Sequence, residues 1–248
     1  MRRALALLLA LGLAAPAAAQ EALDPALRDA LDARIRAYLL ENPEVIVEAL
    51  ETLEGRRREA EAADDAALAR AHEADLLDDG YSRVLGDPDG DVTIVEFADY
   101  RCGYCKAAHP QIMELLAEDG DIRLVLKEFP ILGPESVLAA RAAMAADMID
   151  PDLYWPFHDA MMTHRGGLDE ATVFRLAEGV GLDADALRAE IKTSADEIDA
   201  RIRRTYGLAR ALGVEGTPSF VIGERILRGL AGPEQMRAFV AEARGESG

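Results

Sequence analysis

An α/β domain carrying a large helical block, preceded by an all-helical extension, is the fold class that three features of this 248-residue sequence predict. The apolar run Val92-Thr93-Ile94-Val95 leads through Glu96-Phe97-Ala98-Asp99-Tyr100-Arg101 into Cys102-Gly103-Tyr104-Cys105, and a second apolar run follows at Ile122–Phe129. Helical periodicity then takes over from Pro134 to Leu212. After it, Gly216-Thr217-Pro218 opens a short strand, a turn at Gly223 and another strand.

In chain order, Met1-Arg2-Arg3, the apolar run Ala4–Ala15 and the small residues Pro16-Ala17-Ala18-Ala19 have the three parts of a secretory signal peptide. It spans 1–19, with cleavage expected after about Ala19. The run is shorter than the roughly 20 apolar residues of a spanning helix, so a soluble exported protein is expected. Export places the chain where disulfides form and persist, yet two cysteines are too few for a disulfide scaffold. A formal charge of −19, more negative still without Arg2 and Arg3, argues against nucleic acid or an anionic membrane surface as partner.

Residues 20–83 read as a helical extension. Asp24 is suited to cap a helix and Pro25 to occupy its first position, after which Leu27, Leu31, Ile35 and Leu39 form one stripe. Asn42-Pro43 repeats that start signal before Ile46, Ala49, Leu50 and Leu53, so two helices are expected. From Glu54 to Asp75 the pattern thins to alanines, arginines and acids. The two stripes need a partner surface, either the rest of the chain or the same stripes in other subunits, and an assembly arm is the favoured expectation.

The turn cluster Gly86-Asp87-Pro88-Asp89-Gly90-Asp91 separates the extension from a domain set at 84–248, with the helical insertion at about 134–212. Val92–Phe97 and Ile122–Phe129 are read as strands and the segment from Cys102 to about Ala117, through Pro110, as a helix. That order implies a parallel strand pair. Within the block, Tyr154, Trp155, Phe157, Met161, Val173 and Phe174 are read as core. Pro233–Ala243 supplies a closing helix.

The chemistry rests on the cysteine pair. A cysteine in the first turn of a helix meets unpaired N–H groups and the positive end of the macrodipole, which lowers such thiols to about 3.5–7.5. Cys102 is therefore assigned as attacking thiol and Cys105, one turn further in, as resolving thiol. Zinc normally takes four ligands, and the four histidines, His72, His109, His158 and His164, are not at finger spacing, so no metal and no cofactor is expected. A purely structural disulfide closing so short a ring would stabilise little.

These residues resemble the DsbA-like periplasmic thiol–disulfide oxidoreductases, which have a thioredoxin-like fold with a large helical insertion. The resemblance runs from about Val84 to the C-terminus and rests on the CxxC after a strand and on Gly216-Thr217-Pro218 opening a terminal hairpin. It implies that the Thr217–Pro218 bond is cis and lies beside the CxxC. It further implies that Pro218 holds its loop against Cys102, and that Gly103, Tyr104 and the backbone near Thr217 meet a bound substrate. The family's acid six residues before the first cysteine corresponds to Glu96, which could shuttle the proton of Cys105 or only pair with Lys127. Gly-Tyr between the cysteines, with Thr217 before the proline, is more similar to the family's oligomeric isomerases than to its strong oxidants. Ile35–Ile46 resembles the N-terminal region of the copper-resistance-linked ScsC proteins, some of which trimerise through it.

The resulting expectation is a periplasmic enzyme that forms or isomerises disulfides in cysteine-containing exported proteins, serviced by a membrane redox partner and assembled as a homo-oligomer, a trimer, through its N-terminal helices. Two other classes stand beside it. One is a copper-binding protein using Cys102, Cys105 and His109; the other is a holdase whose thiols are incidental.

Overall fold

The computed structural model describes residues 24–245; the signal segment at 1–19 lies outside them. Two compact units divide the chain, one ending at Arg56 and the other beginning at Arg57. In the first, helix α1 (Pro25–Glu41) starts as its residues require: the Asp24 side chain accepts from the Ala26 N–H at 2.9 Å and Pro25 takes the first helical position. The second start signal works differently. Asn42 turns its Nδ2 back to the Tyr38 carbonyl at 2.9 Å and so closes α1, while α2 (Glu44–Ala71) begins two residues later. An amide satisfies the orphan carbonyls of a helix end as readily as the orphan N–H groups of a start, and here the preceding end takes it. No side chain of α1 is buried, and Leu27, Leu31, Ile35, Ile46, Leu50 and Leu53 are all exposed.

The second unit holds the C-terminal half of α2, α3 (Glu73–Leu77) and everything beyond. Its sheet contains β1 (Arg83–Gly86), β2 (Val92–Ala98), then helix α4 (Gly103–Asp119) and β3 (Ile122–Glu128). The helical block follows as α5 (Pro134–Ile149), a 3-10 turn, α6 (Tyr154–Thr163), α7 (Glu170–Gly179), α8 (Ala184–Thr193) and α9 (Ala195–Ala211). β4 (Ser219–Ile222), β5 (Arg225–Arg228) and α10 (Pro233–Arg244) complete the chain. Strand order is β1-β3-β2-β4-β5, with β2 and β3 parallel and the other pairs antiparallel, which is a thioredoxin-like sheet around a helical insertion.

β1 carries no strong strand signal in the sequence. It has four residues at the sheet edge and ends in Gly86, at φ 79°, where a Cβ would fall 2.3 Å from the Ile122 carbonyl oxygen. By contrast β2 is central and, apart from Thr93 and Glu96, apolar, because both of its faces are covered. Ile94 packs with α4 and α10, and Ala98 with the helical block. On the opposite face, Val95 and Phe97 pack with Leu76 of α3 and Leu208 of α9.

The face with Val95 also carries a buried ion pair. Lys127, fully buried, reaches Asp79 Oδ2 at 2.6 Å and the Asp75 carbonyl at 2.7 Å. This joins the segment before β1 to the third strand, so residues 73–82 are structurally part of the sheet unit. Asp79→Ala would leave the ammonium without its carboxylate, and a loss of about 3–5 kcal/mol is expected in urea denaturation. A loss below about 1 kcal/mol would show that Lys127 finds another charge partner.

Candidate active site

Sequence, helix start and loop meet at one sulfur. Cys102 is the N-cap of α4, with φ −76° and ψ 116°, and its Sγ accepts the Cys105 N–H at 3.3 Å. From the other side the Thr217 carbonyl faces the same Sγ at 3.1 Å, accepting from it while it is a thiol. The Thr217–Pro218 bond is cis, and Pro218 accepts the Gly229 N–H at 3.0 Å, which ties the loop to the end of β5. No disulfide joins the two cysteines in this structure.

The two thiols are driven apart electrostatically. Cys102 falls to about 5, chiefly because the Cys105 thiol donates to it, with the Thr217 side chain and the N–H groups of Cys105 and Tyr104 assisting against burial. The Thr217 carbonyl favours the neutral thiol, but the donors outnumber it. Cys105 moves far upward, first because its proton is held by Cys102, then through burial and the charge of Glu96. One sulfur is therefore a thiolate at neutral pH, and the other a thiol.

Exposure separates them less than the helix position suggests. Cys102 is 5% exposed and Cys105 0%, so the residue assigned as attacking thiol is itself buried, only slightly less than its partner. Arg101 and Gly103 on either side are exposed, and Tyr104 is 67% exposed, so approach is from the rim of the helix start. The Thr217 loop supplies the cover, a tertiary feature invisible at the level of the CxxC itself.

Glu96 lies on the sheet face beneath α4, at 4% exposure. Burial first, then the charges of Cys102 and Glu128, raise it to about 8. Its alternative role, pairing with Lys127, is overturned by register. Phe97 is the β2 residue opposite Lys127, and Glu96 is opposite Leu126, so the two side chains leave opposite faces of the sheet. Lys127 is already held by Asp79.

Several buried polar residues around the pair escaped the sequence reading. Asp99 accepts from the Arg101 N–H at 2.7 Å and from the Ile131 and Leu132 N–H groups at 2.8 and 2.9 Å, so one carboxylate aligns the approach to Cys102 with the loop after β3. Glu128 receives the hydroxyls of Tyr100 at 2.7 Å and Tyr154 at 2.8 Å on the same oxygen, and Tyr100 also meets His158 Nδ1 at 3.0 Å. Burial raises Glu128 to about 8 against the two tyrosine bonds. The available signal was Lys127-Glu128 ending an apolar strand: charges there need partners from elsewhere in the chain. Among the described residues no group of three or more His, Cys, Asp or Glu side chains is arranged to hold a metal ion.

A dithiol at a helix start, with a cis-prolyl loop directly against it on a thioredoxin-like sheet, defines the class of domain. The particular family follows from comparison: residues 93–241 match the DSBA-like thioredoxin domain, and the chain belongs to that family. Residues 28–60 match the copper resistance protein ScsC N-terminal domain. Among solved structures, a thioredoxin-like oxidoreductase from Silicibacter pomeroyi is 41% identical, at TM-score 0.66, covering 70% of this chain and 98% of that one. The thiol-disulfide exchange protein alpha-DsbA2 from Wolbachia pipientis is 32% identical, at TM-score 0.70, covering 74% and 97%. Among curated relatives, the Na(+)/H(+) antiporter NhaA 3 of Salinispora tropica is 34% identical over 170 residues, 67% of this chain. The chain spans only 25% of that antiporter's length.

Two outcomes test the electrostatics. Alkylation of the reduced protein by iodoacetamide is expected to modify Cys102 alone, with a rate that falls as pH drops through about 5. A midpoint near the free-cysteine value of about 8.5 would refute the thiolate assignment. For Glu96, the raised folded-state value means that the folded chain keeps a proton the unfolded chain releases above about 4.5. Its contribution therefore favours folding fully below that pH and is lost as pH rises through about 8. Glu96→Gln should consequently gain stability relative to wild type on going from about pH 5 to about pH 8.5, measured by urea denaturation of the reduced proteins. A difference independent of pH would place the titration elsewhere.

Proposed function

We propose that this protein is an exported, periplasmic thiol–disulfide oxidoreductase that forms or isomerises disulfides in cysteine-containing proteins. The observation that carries this reading is the placement of Cys102 Sγ, 3.3 Å from the Cys105 N–H and 3.1 Å from the Thr217 carbonyl. In the oxidised protein a client thiolate attacks Cys102, the Cys102–Cys105 bond breaks, and Cys105 departs with the electron pair. Cys105 cannot remain a thiolate in its buried site, and Glu96, protonated at neutral pH by its raised value of about 8, supplies the proton. A second client thiolate then attacks the client sulfur of the mixed disulfide and expels Cys102 as a stable thiolate. In isomerisation the reduced Cys102 attacks first and is expelled after the client has rearranged.

A low attacking-thiol value makes Cys102 a good leaving group and stabilises the dithiol relative to the disulfide, which suits transfer of oxidising equivalents to clients. In the client complex the Thr217 backbone, Pro218, Gly103 and Tyr104 contact the polypeptide flanking the reacting sulfur. A membrane redox partner restores the starting state. The exposed stripes of α1 and the start of α2, matching the ScsC N-terminal domain, support assembly as a homo-oligomer, proposed as a trimer.

That match also favours a second reading in which Cys102 and Cys105 bind Cu(I). Cu(I) uptake lost in Cys102→Ser, in a protein without exchange activity, would establish it.

The deciding measurement is recovery of a scrambled, disulfide-bonded client by the full mature chain against a fragment beginning at Arg57, where the second compact unit starts. The full chain is expected to restore the client. The fragment should retain dithiol oxidation and lose most of the isomerisation, and Cys102→Ser should lose both. Equal rescue by the fragment would separate isomerisation from the N-terminal helices.

A further inference from the structure

A groove of about 540 Å³ runs along the catalytic helix, lined by Arg101, Lys106, Pro110, Met162, His164 and Arg165, and no carboxylate among the described residues lines it. That composition departs from the chain as a whole, which carries 46 Asp and Glu against 27 Lys and Arg. The groove borders the cysteine segment of the chain: Arg101 directly precedes Cys102 and Lys106 directly follows Cys105.

The walls are held in place. Lys106 Nζ donates to the Met161 carbonyl at 2.8 Å and the His164 carbonyl at 2.6 Å, linking α4 to the loop that follows α6. Arg101 pairs with Glu135, which in turn accepts the Leu168 N–H at 3.0 Å, and a second acid, Asp169 at the start of α7, lies close enough to His164 to feel its charge. Arg165 lies exposed on the loop between them. Burial, and after it the charge of Arg101, lowers Lys106, so like charges crowd each other here. Two carboxylates, Glu135 and Asp169, against the three cations Arg101, Lys106 and Arg165 leave the groove positive.

We propose that this groove receives an acidic segment of the client polypeptide, next to the client cysteine that exchanges with Cys102. Arg165 and the unoccupied donors of Arg101 meet the client's Asp or Glu side chains. Guanidinium groups suit that task because their planar donors engage carboxylates in pairs. The groove thereby selects among clients by local charge. This rests on the thiol-exchange reading, and it makes a demand that the overall charge does not: a net −19 repels acidic polypeptides, so the whole-molecule field alone ranks basic clients first.

The test uses the oxidised full-length protein and three single-cysteine peptides, with the cysteine flanked by Asp and Glu, by Lys, or by Ser and Gly. Mixed-disulfide formation is followed by acid quench and mass spectrometry, and each peptide's rate is divided by its rate with the neutral disulfide of 2-mercaptoethanol, which removes differences in thiol reactivity. At low ionic strength the acidic peptide should react about tenfold faster than the basic one, an advantage that shrinks in about 0.5 M salt. Arg165→Glu should invert the order, and Arg165→Gln should reduce it. Equal normalised rates, a faster basic peptide in wild type, or an acidic preference unchanged in both variants would overturn the groove assignment while exchange itself stands. No reaction with any of the three peptides would overturn the thiol-exchange reading, and the groove's role with it.

Discussion

The sulfur of Cys102 serves as the cap of helix α4 and at the same time as the contact point for the Thr217–Pro218 loop. A helix start normally finds its acceptor in a serine, threonine, aspartate or asparagine oxygen. Here a sulfur takes that place, so the hydrogen bond that steadies the helix also stabilises the thiolate. The loop from the C-terminal hairpin lies against it, and the result is a charged, largely buried sulfur. Helix, strand β2 and hairpin are all positioned to hold that arrangement.

Beneath it the sheet segregates its buried charges by face. Glu96 and Glu128 share the side of α4 and the helical block, where burial keeps both carboxyls protonated well above their ordinary range. Lys127 leaves the other side and is matched by Asp79. The parallel register of β2 and β3 enforces this separation, since successive residues of a strand point to opposite faces. The buried carboxyl of Glu96 and the Lys127–Asp79 ion pair thus sit on neighbouring strands without neutralising each other.

The helical insertion does more than enlarge the core. Tyr154 and His158 of α6 reach the β3 carboxylate and the Tyr100 hydroxyl, and the carbonyls of Met161 and His164 fix Lys106 of α4. The insertion thereby supplies partners for polar groups that the sheet alone would leave unsatisfied in its interior. It also furnishes one wall of the cationic groove along α4.

The elements with strong local signals were legible before any coordinates: the Asp24-Pro25 helix start, the continuous apolar strands, the five helices between Pro134 and Leu212, and the hairpin turning at Gly223. The cysteine pair was legible as a candidate from its spacing and its place after a strand, and Glu96 and Pro218 from the family resemblance. β1 was missed because a four-residue edge strand has almost no periodicity to display, and Asn42 was assigned to the wrong helix because an amide serves either terminus. What the order of residues determined alone was which segments form helices and strands and where the thiols enter a helix, since those depend on neighbours within a turn or two. Which face each buried charge occupies, that the Thr217 carbonyl meets Cys102, and which cations line the groove along α4 were decided only by tertiary structure. Those are relations between residues dozens to more than a hundred positions apart, set by sheet register and packing rather than by local preference.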